Sequence, residues 1–286
     1  MSTQITEAFV EQYKSNVFHL AQQKGSRLRG AVKSETVTGT SHYFERIGAT
    51  AAQVRQGGRH SSTPQINTPH SRRKVTLADY DWADLIDQED KVRMLISPTS
   101  EYAKAGAYAM GRAMDDAIIA AASGNAFTGP AGATTSALPA GQKIAVGTTS
   151  LTVAKLIAAK EILDASDVDP DETKYLVCSA KEITSLLGDD KVTSADFNSV
   201  KALVAGQIDT FMGFNFIRTE RIAASGGDNL ALAFTQSALG LALGRDIQTR
   251  ISERDDKNYA TQVFLSMTIG ATRVEDEKVV EIACNV

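Results

Sequence analysis

The sequence predicts a mixed fold of helices and strands, either α/β or α+β. Three patterns support this: one long helical segment at 98–123, an alternation of short helices and strands over 151–219, and alternating apolar residues near the C-terminus. The chain has 286 residues, of which 43% are hydrophobic, so it can bury one large core or two modest ones. We therefore expect a globular protein.

The N-terminal third divides into a helix, an excursion and a strand. Apolar residues at helical spacing over 5–23, followed by Gly25, predict an amphipathic helix. From Ser26 to Lys74 there are five glycines, two prolines and no long apolar face, which indicates an extended, hairpin-like excursion with little core. Strand character resumes at Val75–Asp87.

Ser97 and Pro98 are a typical helix start, and Gly124 is a typical stop. The helix between them carries a stripe of small residues that includes Gly106 and permits close approach of a sheet or another helix. The following segment, 124–147, is rich in Gly, Ala, Thr and Pro, and it predicts a long loop or short hairpin between two subdomains.

Later elements alternate in type. We expect helices at 151–165, 180–187, about 196–204 and 236–243, strands at 175–179, 214–219 and 230–234, and a terminal hairpin or meander after Val263.

Charge is distributed unevenly along the chain. Residues 24–74 hold ten Lys and Arg residues against two acids, a net charge of +8, whereas the other 235 residues hold twenty against thirty-two, a net charge of −12. A basic segment of this kind favours a partner of opposite charge, which can be nucleic acid or the acidic body of another copy.

The residues needed for catalysis do not occur in a recognisable arrangement. All four histidines, His19, His42, His60 and His70, lie in the first seventy residues without zinc-ligand spacing, and Cys178 has no histidine after it. Asp167, Asp169 and Asp171 begin like a calcium loop, but the glycine and glutamate that the loop requires are replaced by Glu172 and Cys178. We expect no enzyme, cofactor or metal site.

No secretory signal and no run of eighteen apolar residues is present, which indicates cytosolic synthesis and no membrane partner. The two cysteines indicate no disulfide framework.

Three ordered motifs carry a resemblance to a known family. They are Gly39-x-Ser41-x-x-Phe44-x-x-Ile47-Gly48; Ala83-Asp84-Leu85-Ile86-Asp87-x-x-Asp90 before a helix with Gly111 and Asp115-Asp116; and Phe234-x-x-Ser237-Ala238-Leu239 followed by Asp246, Arg254, Asn258-Tyr259, Gln262 and Gly270. In this order they resemble the major capsid proteins of short-tailed bacteriophages of the T7 type and their relatives, which have the Hong Kong 97 coat fold.

This resemblance implies an α+β fold and a division of the chain. Residues 1–25 would be an N-terminal arm, 26–80 a basic extended loop that overlaps a neighbouring subunit, 81–147 with 251–286 a peripheral domain with spine helix 98–123, and 148–250 an axial domain.

The function implied is a major capsid protein whose hexamers and pentamers build an icosahedral head around double-stranded DNA. Implied partners are other copies, a separate scaffolding protein, a portal protein, a decoration protein and packaged DNA as a non-specific contact. The protein would be assembled in the host cytoplasm and reside in the virion; no covalent cross-link is expected.

Two alternatives remain at this point: an encapsulin-type nanocompartment shell, and a nucleic-acid-binding protein that uses the basic arm. In the basic segment, the residues predicted to contact another subunit are Tyr43, Phe44, Arg46, Arg55, Arg59, Arg72 and Arg73.

Overall fold

The computed structural model describes residues 22–54, 57, 60, 61, 63, 65–87, 98–188 and 210–285. The helix predicted over 5–23 lies outside the described residues except for its last two positions, and the helix predicted about 196–204 lies outside them entirely.

The described residues form three α-helices and fifteen strands. The helices are α1 (Pro98–Ser123), α2 (Val153–Ala165) and α3 (Ala180–Leu187). The strands of the first half are β1 (Lys33–Thr36), β2 (Ser41–Ile47), β3 (His70–Thr76), β4 (Ala78–Ile86), β5 (Ala126–Thr128), β6 (Thr134–Ser136) and β7 (Lys143–Ile144). Those of the second half are β8 (Lys174–Cys178), β9 (Thr210–Phe211), β10 (Phe214–Arg218), β11 (Ala224–Ser225), β12 (Asp228–Thr235), β13 (Leu239–Arg254), β14 (Ala260–Arg273) and β15 (Val279–Cys284).

The chain divides into two compact units. The first comprises Met1–Ser26, Ala78–Met114 and Arg245–Ile269, and the second comprises Arg27–Leu77, Asp115–Gly244 and Gly270–Val286. Strands β13 and β14 and helix α1 contribute residues to both units.

In the first unit, β4 pairs antiparallel with β14 in a register that runs from Thr261↔Ile86 to Ile269↔Ala78. From Thr261 to Ile269 of β14 every second side chain is buried, including Val263 and Leu265. A Cβ at Gly106 of α1 would lie 2.6 Å from side-chain atoms of both Trp82 and Leu265, so the absent side chain is what lets the helix approach the sheet.

In the second unit, a seven-stranded sheet has the order β7-β15-β12-β8-β10-β9, and β11 pairs with β12. Leu156 of α2, Leu186 of α3 and Leu176 of β8 belong to one buried cluster. Local signals start both helices: the Thr152 hydroxyl accepts from the Lys155 amide at 3.4 Å, and Ser179 with Glu182 forms a capping box.

The prediction of a helix at 236–243 is wrong. Gln236–Ala238 is a 3₁₀ turn and Leu239 begins the sixteen-residue strand β13, whose first four paired residues, Gly240–Leu243, lie parallel to β1. Leucine and alanine favour helices in isolation, but here Leu239–Leu243 are all buried, and a buried strand needs no polar alternation.

The terminal hairpin expected after Val263 is also wrong, because β14 and β15 lie in different sheets: β14 lies between β13 and β4, and β15 lies between β7 and β12. Several other predicted elements are confirmed. Helix α1 begins at Pro98 and ends at Ser123, α3 spans 180–187, and β8 and β10 lie within one residue of their predicted bounds. The loop or hairpin predicted over 124–147 contains the hairpin β5–β6.

Candidate interaction surface

Strands β2 and β3 form the antiparallel hairpin at the centre of the basic segment. Their register runs from Ser41↔Thr76 to Ile47↔His70, and the Gly48 amide extends the pairing by donating to the Pro69 carbonyl at 2.9 Å. Strands β5 and β6 add to the β3 edge and complete a four-stranded sheet. The base of the excursion is thus held by a regular sheet.

Phe44 anchors this hairpin in a small core of its own. Its side chain is 5% exposed and clusters with Val37, Val75 and Ala242. A Cβ at Gly240 would lie 2.6 Å from Cζ of the Phe44 ring, so the ring lies directly on the backbone of β13. Phe44 was predicted to contact another subunit, whereas in the structure it lies inside the chain's own second unit.

Arg73, the cross-strand neighbour of Phe44, is also an interior residue. Arg73 is 3% exposed, and its Nη2 donates to Asp276 Oδ2 at 2.5 Å. The other carboxylate oxygen of Asp276 accepts from Arg273 Nε at 2.6 Å. A single carboxylate therefore bridges two buried guanidinium groups.

The other N–H groups of the Arg273 guanidinium donate hydrogen bonds to backbone carbonyls. It is fully buried and donates to Ala122 and Gly124 at 3.0 and 2.6 Å, and to Ser136 at 2.9 Å. The first two carbonyls lie at the C-terminal end of α1, where a cation interacts favourably with the helix dipole. The sequence patterns did not single out Arg273 or Asp276 as a pair.

Arg46 is half-buried and also turns towards its own chain. Its Nη1 donates to the Val274 carbonyl at 2.7 Å, and its Nε donates to the Ser71 hydroxyl at 3.1 Å. Burial, and then the nearby charge of Arg73, lower the pKa of Arg46.

Arg72 and Tyr43 lie on the exposed face of the hairpin. The guanidinium carbon of Arg72 is 5.3 Å from the centroid of the Tyr43 ring, and its Nε is 3.5 Å from Glu45 Oε1. The Arg72 side chain is 42% exposed, so its charge remains accessible. The remaining two predicted contact residues, Arg55 and Arg59, lie outside the described residues.

The end of β2 and the connection from it to β3 expose large apolar side chains. Ile47 is 70% exposed, Val54 is 87% exposed and Ile66 is 43% exposed. The segment from Gly48 to Ser71 contains no acidic residue. We call the described residues among 47–66 the loop surface. Its exposed apolar residues were missed because the sequence pattern there is too irregular to show which side chains are covered.

The described residues give no support for a chemical site. Within them, no group of three or more His, Cys, Asp or Glu residues could hold a metal ion. Cys178 and Cys284 are fully buried, and burial raises the pKa of each thiol to about 12, so both remain protonated and unreactive near neutral pH. The Asp169 carboxylate accepts from the Asp171 amide at 3.0 Å, as in an Asx turn.

No helix in the described parts of the chain has both the length and the apolar character needed to cross a membrane.

Solved structures show which class of protein has this fold. The capsid of the cyanophage P-SCSP1u is similar with a TM-score of 0.73 at 18% identity, covering 100% of this chain and 96% of that one. The capsid of Ralstonia phage GP4 gives a TM-score of 0.77 at 12% identity over 97% and 96% of the two chains. The cyanophage Pam1 capsid gives 0.70 at 14% identity over 100% and 98%. The fold is that of phage capsid proteins of the Hong Kong 97 type.

The family model described as phage capsid protein matches residues 5–286, and the chain belongs to that family. It is a structural protein of the phage capsid that assembles with copies of itself into the shell of the virion. No curated protein matches the chain. The predicted α+β capsid fold and capsid function are confirmed; the narrower likeness to short-tailed phages stays a prediction.

Proposed function

We propose that this chain is the major capsid protein of an icosahedral phage head, and that its β2–β3 hairpin fastens each copy to a neighbour in the hexamers and pentamers of the shell. The observation that carries the second half of this proposal is the contrast between the two ends of the hairpin. Its base is anchored inside the chain by Phe44 and Arg73, whereas its loop surface exposes Ile47, Val54 and Ile66.

This contrast favours a partner for the loop surface. Fully burying one Val or Ile side chain contributes roughly 1.5–3 kcal/mol. A loop with several such side chains therefore gains stability when a second surface covers it. Because the hairpin base is already ordered, little conformational entropy is lost there when the loop docks.

Charge favours a second copy as the partner. The basic segment 24–74 carries a net charge of +8 and the rest of the chain a net charge of −12, so copies attract one another where the segment meets a neighbour's body. An acidic stretch of that body is β4 with Asp87, in which Asp79, Asp81, Asp84 and Asp87 occur without a basic residue. Packaged DNA is then a secondary, non-specific contact of the same basic segment.

The domain roles follow as part of the proposal. We assign 1–25 to the arm, 26–80 to the extended loop, 81–147 with 251–286 to the peripheral domain around α1, and 148–250 to the axial domain at the centres of capsomers. A scaffolding protein, a portal protein and a decoration protein would complete the particle, which would assemble in the host cytoplasm.

The loop can be tested with one pair of variants. Val54→Asp puts a charge on the loop surface, and Ile157→Asp puts the same charge on α2, where Ile157 is also exposed, at 51%. Val54→Asp should leave a soluble, folded chain that forms few closed particles by negative-stain microscopy and sedimentation, whereas Ile157→Asp should assemble normally. Normal shells from Val54→Asp would refute the docking role of the loop.

A further inference from the structure

Strand β13 has a long edge that no other strand covers in the described part of the chain. In the four-stranded sheet, β1 pairs with β13 only from Gly240 to Leu243, and β14 lies on the opposite side. From Gly244 to Glu253 every residue is exposed except the partly buried Ile247, and Ile251 is 54% exposed. Such an edge can pair with a strand of another chain.

The alternation of backbone direction along the strand shows which residues point their N–H and C=O groups to this edge. The Val37 amide donates to the Leu243 carbonyl at 2.9 Å, so Leu243 points its backbone polar groups to the β1 side of the strand. In a continuous strand, alternate residues point the same way. The backbone groups of residues 245, 247, 249, 251 and 253 therefore face the open edge.

When two copies of this strand run in opposite directions, the side chains of the same five residues complement one another. They read Arg245, Ile247, Thr249, Ile251 and Glu253. An antiparallel copy centred on Thr249 would place Arg245 opposite Glu253 and Ile247 opposite Ile251, twice each. Opposite charges and apolar side chains are both favourable cross-strand pairs.

The intervening residues fit the same arrangement. On the other face, Gln248 would stand opposite Arg250, and Asp246 opposite Ser252, so no like charges are brought together. In this register the two members of each hydrogen-bonded pair are both odd-numbered, so their backbone groups face the shared edge. The direction of the backbone groups and the order of the side chains thus select the same register.

We propose that residues 245–253 pair with the same residues of a second copy in an antiparallel, two-fold symmetric strand contact centred on Thr249. The contact is isologous, since each copy contributes the same surface. This contact does not involve the loop surface. It rests on the proposed shell function only in that the shell would place the contact at a two-fold axis of the lattice.

Disulfide trapping tests the register directly. In the proposed contact, Thr249 faces its own equivalent with the two Cα atoms about 5.5 Å apart, within the range that a disulfide spans. Ser252 on the same strand would face Asp246, which puts two copies of residue 252 about six residues, or roughly 20 Å, apart. Because Cys178 and Cys284 are buried, they add little background.

Assembled particles of full-length Thr249→Cys and Ser252→Cys would be oxidised mildly and resolved on a non-reducing gel. We expect dimers from Thr249→Cys and almost none from Ser252→Cys. Equal dimer yields from both variants would show random collision and overturn the register. Well-formed particles without a Thr249→Cys dimer would overturn the contact and leave the shell function intact. If the unmutated chain formed no particles, the shell function itself would be overturned.

Charge exchange provides a second readout. Arg245→Glu and Glu253→Arg should each lower the yield of the 249 disulfide several-fold because like charges then face each other, and the double variant should restore it. A double variant no better than either single one would refute the Arg245–Glu253 pairing.

Discussion

Arg73 and Asp276, which are 203 residues apart in the chain, form an almost buried ion pair with 2.5 Å between Nη2 and Oδ2. The same carboxylate bonds Arg273, so Asp276 neutralises part of a site that holds two buried guanidinium groups. Through Arg73 it joins β3 of the hairpin to the turn after β14. Asp276 thus helps to hold the basic hairpin within the second unit, together with Phe44 and the pairing of β3 with β5.

Replacing that carboxylate should destabilise the chain strongly. Asp276→Asn leaves Arg73 and Arg273 buried without a counter-charge, a change of the kind that costs about 3–5 kcal/mol. Urea unfolding of the unassembled chain measures it. As the control, Asp256→Asn removes the carboxylate from the exposed ion pair with Arg254, and we expect no measurable change. Similar stability of the two variants would contradict the bridging role of Asp276.

Packing of Phe44 on β13 should make Gly240 intolerant of a side chain. Gly240→Ala places a Cβ 2.6 Å from the ring and should cost about 1–3 kcal/mol through overpacking. Adding Phe44→Leu should recover part of that loss, so the double variant would be more stable than the sum of the single effects predicts. Gly30→Ala is the matched control, because nothing lies within 4 Å of the Cβ added there. Strict additivity would disprove the contact.

The buried cysteines should make the chain less stable in alkali. Burial raises the pKa of both thiols from 9.0 to about 12 in the folded chain, whereas the unfolded thiols ionise near 9.0. Between these pH values the folded state binds more protons than the unfolded state, so the free energy of unfolding falls as pH rises. Each thiol contributes roughly 1.4 kcal/mol per pH unit in that window.

Urea unfolding at pH 8, 9.5 and 11 would measure this slope. The variant Cys178→Ala/Cys284→Ala should show a flatter dependence, even though its stability at pH 8 is lower from the lost packing. An unchanged slope in the double variant would show that other groups control the alkaline response.

Reversing charge in the loop should block assembly without unfolding the chain. Arg55→Glu/Arg59→Glu removes cations from a segment that has no acidic residue between Gly48 and Ser71. We expect a soluble protein with an unchanged circular dichroism spectrum and few or distorted particles by microscopy. Lys160→Glu/Lys181→Glu changes the net charge by the same amount on helices α2 and α3 and should assemble normally. Equal defects in both variants would point to net charge alone.

Local signals determined much of what could be predicted. Pro98 and Gly124 enclose α1 because both residues act on the backbone next to them, and β14 was recognisable because every second residue from Val263 is apolar. The basic excursion was recognisable from its charge and its lack of an apolar face. The resemblance to capsid proteins depended on the order of short motifs, which the sequence itself displays.

Contacts between distant segments were not predictable in the same way. Leu239–Leu243 looked like a helix, and pairing with β1 made it a strand. No local pattern singled out Asp276, yet its carboxylate accepts from both Arg73 and Arg273. Phe44 and Arg73 looked like outward-facing contact residues and are anchors of the hairpin base.

The sequence by itself determined the elements with strong local signals, the basic segment and the family of the protein, because composition, spacing and caps act within a few residues. Only the tertiary structure decided which arginines are buried, which apolar residues of the loop remain exposed and which edge of β13 no described strand covers. Those properties depend on segments that are as much as 228 residues apart in the chain, and no local pattern records which segments will meet.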